Sequence, residues 1–153
     1  MGKGRLGVMK KLFSSIFNNL PVPLIGSGKN CYQMISVYDC SKATLLSVEK
    51  NFPNFELNLG SEIGPNVKDL LNLLIKRVYS KSKIIPLPAF PLKIVLSVME
   101  KIGFPILYKE QYKIADKNYI VDISDTYSKI NWKPKYSDED MIIEAYNYWK
   151  NIK

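Results

Sequence analysis

Apolar residues recur three or four positions apart in four stretches of the chain. Met9, Leu12, Phe13, Ile16, Phe17 and Leu20 form the first such stripe and predict an amphipathic helix over 8–20, ended by Pro21. A second stripe of Val67, Leu70, Leu71, Leu74 and Val78 follows Pro65 and Asn66, a strong start signal. Leu92 to Ile102 supply a third helix. Ile142, Ala145, Tyr146 and Trp149 supply the last, introduced by Ser137 and Asp140 at capping-box spacing. A further helix is expected from Asp39 or Ser41, either of which can cap it, to about Lys50. Between these lie short apolar runs that read as strands: "VPLI" (22–25), "CYQMISV" (31–37), "FELNLG" (55–60) and "YIVD" (119–122). The glycine pair in "GSGKN" (26–30) reads as a hairpin turn joining the first two, and "PLPAFP" (86–91) as an extended connector. The stretch around Tyr108 and Tyr112 is less regular. The mixture is α/β, helix-rich with a few short strands.

Composition bounds this picture. At 153 residues, with 46% hydrophobic and 24% charged, the chain is one globular domain by size. No apolar run reaches the length of a membrane span. Residues 12–20 are too short and polar for a signal-peptide core, and Leu6 stands where myristoylation needs Ser or Thr. A cytoplasmic protein with no membrane partner and free Cys31 and Cys40 thiols is therefore expected. Histidine is absent, which removes the commonest general base and metal ligand and excludes zinc sites and His-dependent nucleophiles. No metal site is predicted.

The net charge of +8 raises nucleic acid as a partner, but only Arg5 and Arg77 are arginine and the lysines are scattered, which argues against it. Residues 1–38 are the exception, with five positive charges and no negative one. A small non-enzymatic module, using the basic N-terminal helix on nucleic acid or an anionic membrane surface, is the alternative reading.

Residues 2–7 spell G-x-G-x-x-G, yet only Met1 precedes them and the first acid is Asp39, so neither strand nor ribose-binding acid is in place. "GSGKN" lacks the earlier glycine (Pro23 stands there) and the Ser or Thr (Asn30) of a P-loop. Tyr79 with Lys83, and Tyr146 with Lys150, match Tyr-x-x-x-Lys, but a chain with ten tyrosines yields such pairs by chance and both read as structural. "SDEDM" (137–141) reads as a helix N-terminus, where the dipole favours negative charge, and Trp132 as a packing anchor. No catalytic residue is assigned.

Several stretches in order carry a resemblance: "GRLGVMKKLF", "PVPLIGSGKNCYQMISVYDCSKATLLSVE", "FELNLGS", "YIVDIS" and "INWKPKYSDEDMIIEAYNYW". Together they resemble the C-terminal portion of NAD-dependent sugar-nucleotide epimerases and dehydratases, the extended short-chain dehydrogenase/reductase family, over nearly the whole chain. The resemblance implies a single incomplete domain over 1–153, with about 35–60 packing on a cofactor domain that these residues lack. One strand, 55–60, then completes the missing Rossmann sheet. It implies NAD for the full-length family but none bound by this chain alone. The implied ligand is a nucleotide sugar such as a UDP- or dTDP-sugar. The implied partner is a separate chain carrying the Rossmann half, or a second copy in a homodimer. The reading is a truncated or split enzyme, inactive alone, with an exposed apolar face. Arg5, Lys29, Tyr32 and Gln33 are the candidate substrate-binding residues. Cys31 replaces the family's diphosphate-binding arginine, and a thiol cannot supply a bidentate charged hydrogen bond.

Overall fold

Proline and turn residues set most element boundaries in the computed structural model, which describes residues 6–7, 9–50, 56–104 and 106–153. Nine elements are defined among the described residues. They are α1 (Met9–Phe17), β1 (Val22–Ile25), α2 (Val37–Glu49), α3 (Val67–Arg77), β2 (Ile84–Leu87), α4 (Ala89–Lys101), α5 (Lys109–Ile114), α6 (Ser124–Ile130) and α7 (Asp138–Asn151). The chain divides into two compact units. The first comprises Met1–Leu6, Gln33–Gly64 and Ile120–Lys153; the second comprises Gly7–Tyr32 and Pro65–Tyr119.

In the second unit β1 and β2 pair in parallel, Val22 opposite Ile84 and Ile25 opposite Leu87. Val22 and Leu24 are buried, as are Phe13 and Ile16 of α1 and Leu70, Leu71, Leu74 and Ile75 of α3. Helix α1 stops at Phe17, short of Pro21, because Asn19 takes a left-handed backbone (φ 56°) and Leu20 N donates back to Ser15 O at 2.9 Å. The Asn66 side chain caps α3, accepting from Asp69 N at 2.9 Å as the sequence predicts.

The first unit is built around Trp132, which is 1% exposed beside Ala43 and Ile130, with Ile35, Leu46, Leu57, Leu59 and Ile123 packed against them. Its indole Nε1 donates to Asp39 O at 3.0 Å. Trp132 is thus the packing anchor the sequence predicts. Helix α7 begins with the predicted capping box: Asp140 N donates to Ser137 Oγ at 3.1 Å and Ser137 N to Asp140 Oδ2 at 3.2 Å.

Several local expectations are corrected. Residues 31–36 form no strand, and only Tyr32 makes a single parallel bridge, to Tyr119. Gly26–Asn30 is therefore no hairpin turn, since β1 takes its partner from a distant segment instead. Residues 119–122 likewise stop at that one bridge. Helix α2 starts earlier, at Val37, because the Ser36 side chain accepts from Tyr38 N, while Asp39 lies inside the first turn and its carboxylate accepts from Lys135 N and Tyr136 N. The extended connector at 86–91 is half strand and half helix: Pro86 lies in β2, and Pro91 sits in the first turn of α4, where its missing N–H has no helical partner to lose.

Phe55 lies outside the described residues. Over 56–60 the chain is not laddered into a strand. Asn58 O instead accepts from Thr126 Oγ1 at 2.7 Å, and Asn58 Nδ2 donates to Asp122 O at 3.1 Å.

Candidate functional site

The glycine turn of the second unit leaves the C-terminal end of β1, where an open α/β sheet places its ligands. Gly26 and Gly28 both have positive φ, 78° and 72°. At Gly28 a Cβ would lie 2.3 Å from Leu24 Cδ2 and 2.9 Å from Lys68 Cβ, so only glycine lets the turn approach α3. The amides that open α3 are spent on this turn: Lys68 N donates to Gly28 O and Val67 N to Asn30 O, each at 3.0 Å. That helix N-terminus is closed to a phosphate, and residues 29–36 run on without entering a helix. The turn lacks the helix-opening amide cradle with which a dinucleotide-binding loop holds the pyrophosphate of NAD.

What the turn does hold is a surface aromatic pair. Asn30 Nδ2 donates to Ala115 O at 3.1 Å and to Lys117 O at 2.9 Å. Cys31 N donates to Asn118 Oδ1, and Tyr119 N to Cys31 O, both at 2.9 Å. These bonds bring two distant segments side by side and stack the rings of Tyr32 and Tyr119, 5.5 Å between centroids and 19° between planes. The pair is solvent-facing, 38% and 53% exposed. Lys29, Lys68 and Lys117, exposed on the three segments the turn ties together, bring positive charge. A flat aromatic platform on segments that carry exposed lysines suits a planar base bearing an anionic tail. In the same unit, the Lys93 ammonium pairs with Asp116 and holds that carboxyl below its ordinary range.

The four residues named from the sequence fare differently. Arg5 lies outside the described residues. Lys29 stands exposed on the turn and Tyr32 in the stack. Gln33 belongs to the first unit, where its amide acts as a brace: Nε2 donates to Ser61 O at 2.5 Å and Oε1 accepts from Val121 N at 2.8 Å. Gly60 makes room for that amide, since a Cβ there would meet Gln33 Cδ at 2.6 Å. Tyr119 escapes the sequence reading because nothing local says that residues 31 and 118 adjoin.

The first unit spends its buried carboxylates on internal hydrogen bonds, mostly from backbone amides. Asp39 Oδ1 accepts from Lys135 N at 3.0 Å and Oδ2 from Tyr136 N at 3.1 Å. Asp138 Oδ1 accepts from Ser61 Oγ at 2.5 Å and Met34 N at 3.1 Å, and burial pushes its carboxyl up despite both bonds. Tyr146 is buried in α7, and desolvation raises its hydroxyl pKa, the reverse of what an activated tyrosine needs. Tyr79 follows α3 as an exposed residue at φ 56°. Both cysteines are free thiols. Among the described residues no cluster of His, Cys, Asp or Glu is placed to hold a metal.

Comparison with known proteins adds the fold's context. No family model matches the sequence. An uncharacterised protein of Sinorhizobium fredii, y4nG, is 27% identical over 151 residues, covering 98% of this chain and 38% of its own length. Among solved structures, UDP-glucuronic acid 4-epimerase from Bacillus cereus, in complex with UDP-glucuronic acid and NAD, superposes with a TM-score of 0.67 at 18% identity. That match covers 93% of this chain and 39% of the enzyme. The dTDP-glucose 4,6-dehydratase of Bacillus anthracis, in complex with NAD, gives 0.63 at 14%, covering 92% and 38%. The epimerase Mth375 from Methanothermobacter thermautotrophicus gives 0.69 at 13%, covering 95% and 37%. The fold is that of the C-terminal part of such epimerases. The chain spans less than half the length of each relative it matches.

Proposed function

We propose that this chain supplies the substrate-binding portion of an NAD-dependent epimerase or dehydratase acting on a nucleotide sugar. The observation that supports it most is the fold match over more than nine-tenths of the chain to an epimerase determined with UDP-glucuronic acid and NAD. The exposed Tyr32–Tyr119 platform supports that reading, in which the base stacks on the rings and Lys29 meets the diphosphate. With Cys31 where the resembling enzymes carry arginine, lysine must neutralise the phosphates as a point charge rather than a fork.

The hydride acceptor is then held by residues beyond these 153, on the same polypeptide or another chain, and these residues alone do not turn over a sugar. Helix α2 presents Val37, Leu45 and Val48 exposed, an apolar face fit to pack on that cofactor-binding part. Isothermal calorimetry with UDP-glucose and dTDP-glucose tests the reading. Binding should weaken about tenfold in Tyr32→Ala, the worth of one base stack, and several-fold in Lys29→Gln. Absence of heat from either nucleotide sugar overturns it.

A further inference from the structure

Helix α4 is apolar on two sides, with Leu96 buried and Leu92 and Met99 half-buried on one and a second apolar row facing outward. Its half-buried side carries ionic partners: Lys93 pairs with Asp116 and donates to Lys113 O at 3.0 Å, while Glu100 accepts from Tyr112 Oη at 3.1 Å and Lys109 N at 3.3 Å. Among its hydrophobic residues Leu96 is buried. Phe90, Ile94, Val95 and Val98 face solvent, joined by Ile102 just past the helix end, each more than half exposed. Positions 90, 94, 98 and 102 fall along one ridge, with 91 and 95 beside it, so the outward face is apolar for three turns. Phe104 and Ile106 extend it beyond the helix, and both are exposed. An apolar face of this length in water marks a surface that something covers.

Charge identifies the occupant. The second unit, which carries α4, holds 13 Lys and Arg against four Asp and Glu, whereas the first holds nine against ten. The excess positive charge of the chain therefore lies in the unit that carries the exposed ridge. Lys101 stands on the ridge itself, and Lys109, Lys113 and Lys117 are exposed on and after α5, which packs on α4. Two copies meeting ridge to ridge would bring like charges together. Nucleic acid has no use for three turns of aliphatic side chains. A cofactor-binding part is proposed above to meet α2, which belongs to the other unit. An aliphatic ridge in a lysine-rich unit matches an anionic bilayer surface, with the ridge in the acyl boundary and ammonium groups among the headgroups.

We infer that α4 and the residues after it form an in-plane membrane-binding surface for anionic lipid. No helix among the described residues is long and apolar enough to cross a membrane, and an in-plane seat needs none. The sequence expectation of no membrane partner rested on the missing span and does not address this face.

Vesicle flotation of the whole chain tests the inference, using phosphatidylcholine alone and phosphatidylcholine with about one-third phosphatidylglycerol. The protein should float with the anionic vesicles and at least tenfold less with the neutral ones. The double variant Ile94→Asp/Val98→Asp should remain in the soluble fraction with an unchanged thermal midpoint. A separate Val98→Trp variant should show blue-shifted emission, quenched by brominated lipid, on adding anionic vesicles. Failure to float, flotation unaffected by the double variant, or no quenching in Val98→Trp would overturn the inference. So would a dimer in light scattering that the double variant abolishes while vesicles go unbound. Calorimetric binding of UDP-glucose should survive the double variant, so loss of nucleotide binding and loss of membrane binding are read separately.

Discussion

Helices α7 and α4 look alike in the sequence and end in opposite surroundings. Each carries an apolar stripe three to four turns long at helical spacing. In α7 the stripe is the buried face: Met141, Ile142, Ala145, Tyr146 and Trp149 are all covered. In α4 a long apolar row, Phe90, Ile94, Val95 and Val98, is left exposed, and Leu96 is buried on a side that also carries the half-buried Lys93 and Glu100. The contrast shows that periodicity locates a helix but not the partner of its apolar side. Charged residues break the tie in α4, because the Lys93–Asp116 ion pair and the hydrogen bonds to α5 fix its rotation, and these depend on residues 9–23 positions away.

Matched substitutions expose the difference most strongly. Ile142 is 1% exposed and Ile94 51%. Ile142→Ala should cost about 2–5 kcal/mol in urea denaturation, and Ile94→Ala within about 0.5 kcal/mol of zero. Equal costs would mean that α4 is covered in the free chain. A smaller effect is expected from Gly28→Ala, which combines a left-handed backbone with a close approach to Leu24 and Lys68; about 2 kcal/mol is lost, with the Tyr32–Tyr119 stack displaced in aromatic NMR shifts. Ser137→Ala removes the cap of α7 and should cost about 1 kcal/mol by thermal melting, whereas α4, led by Pro88 with no side-chain cap bond, has no equivalent to lose.

The subtlest contrast is in pH dependence. Asp138, at the start of α7, has its carboxyl pushed above the ordinary 3.8 by burial, so its contribution is fully favourable below that value and is lost as pH rises through the folded-state pKa. Asp116, paired to α4 through Lys93, is held below 3.8, so its contribution is present above that value and disappears on acidification. Urea midpoints of Asp138→Asn should therefore gain on wild type as pH rises from about 4, and those of Asp116→Asn should converge with wild type as pH falls below it. Parallel curves for all three proteins would contradict both assignments.

Much of this was legible in the residues. The stripes of α1, α3, α4 and α7, the Asn66 cap, the Ser137–Asp140 box and the anchoring of Trp132 all follow from local spacing. The strand errors share one cause. A strand exists only through its partner, and "CYQMISV" has the composition of a strand without a neighbour to ladder with, while "IIPL" (84–87) acquires one in β1 despite Pro86. Helices α5 and α6 are short, six and seven residues, and hold their places through tertiary bonds such as Tyr112 Oη to Glu100 and Thr126 Oγ1 to Asn58 O. In the candidate site, Lys29 and Tyr32 were visible beside a glycine turn. Tyr119 was not, because its place in the stack is set by Asn118 meeting Cys31 across 87 residues.

An NMR titration of isotopically labelled chain with UDP-glucose bears most directly on the central claim. Shifts concentrated in the backbone amides of 28–32 and 118–119 are predicted, with matching changes in the Tyr32 and Tyr119 rings. A spectrum unmoved by saturating nucleotide sugar, or shifts confined to residues away from that turn, would contradict it.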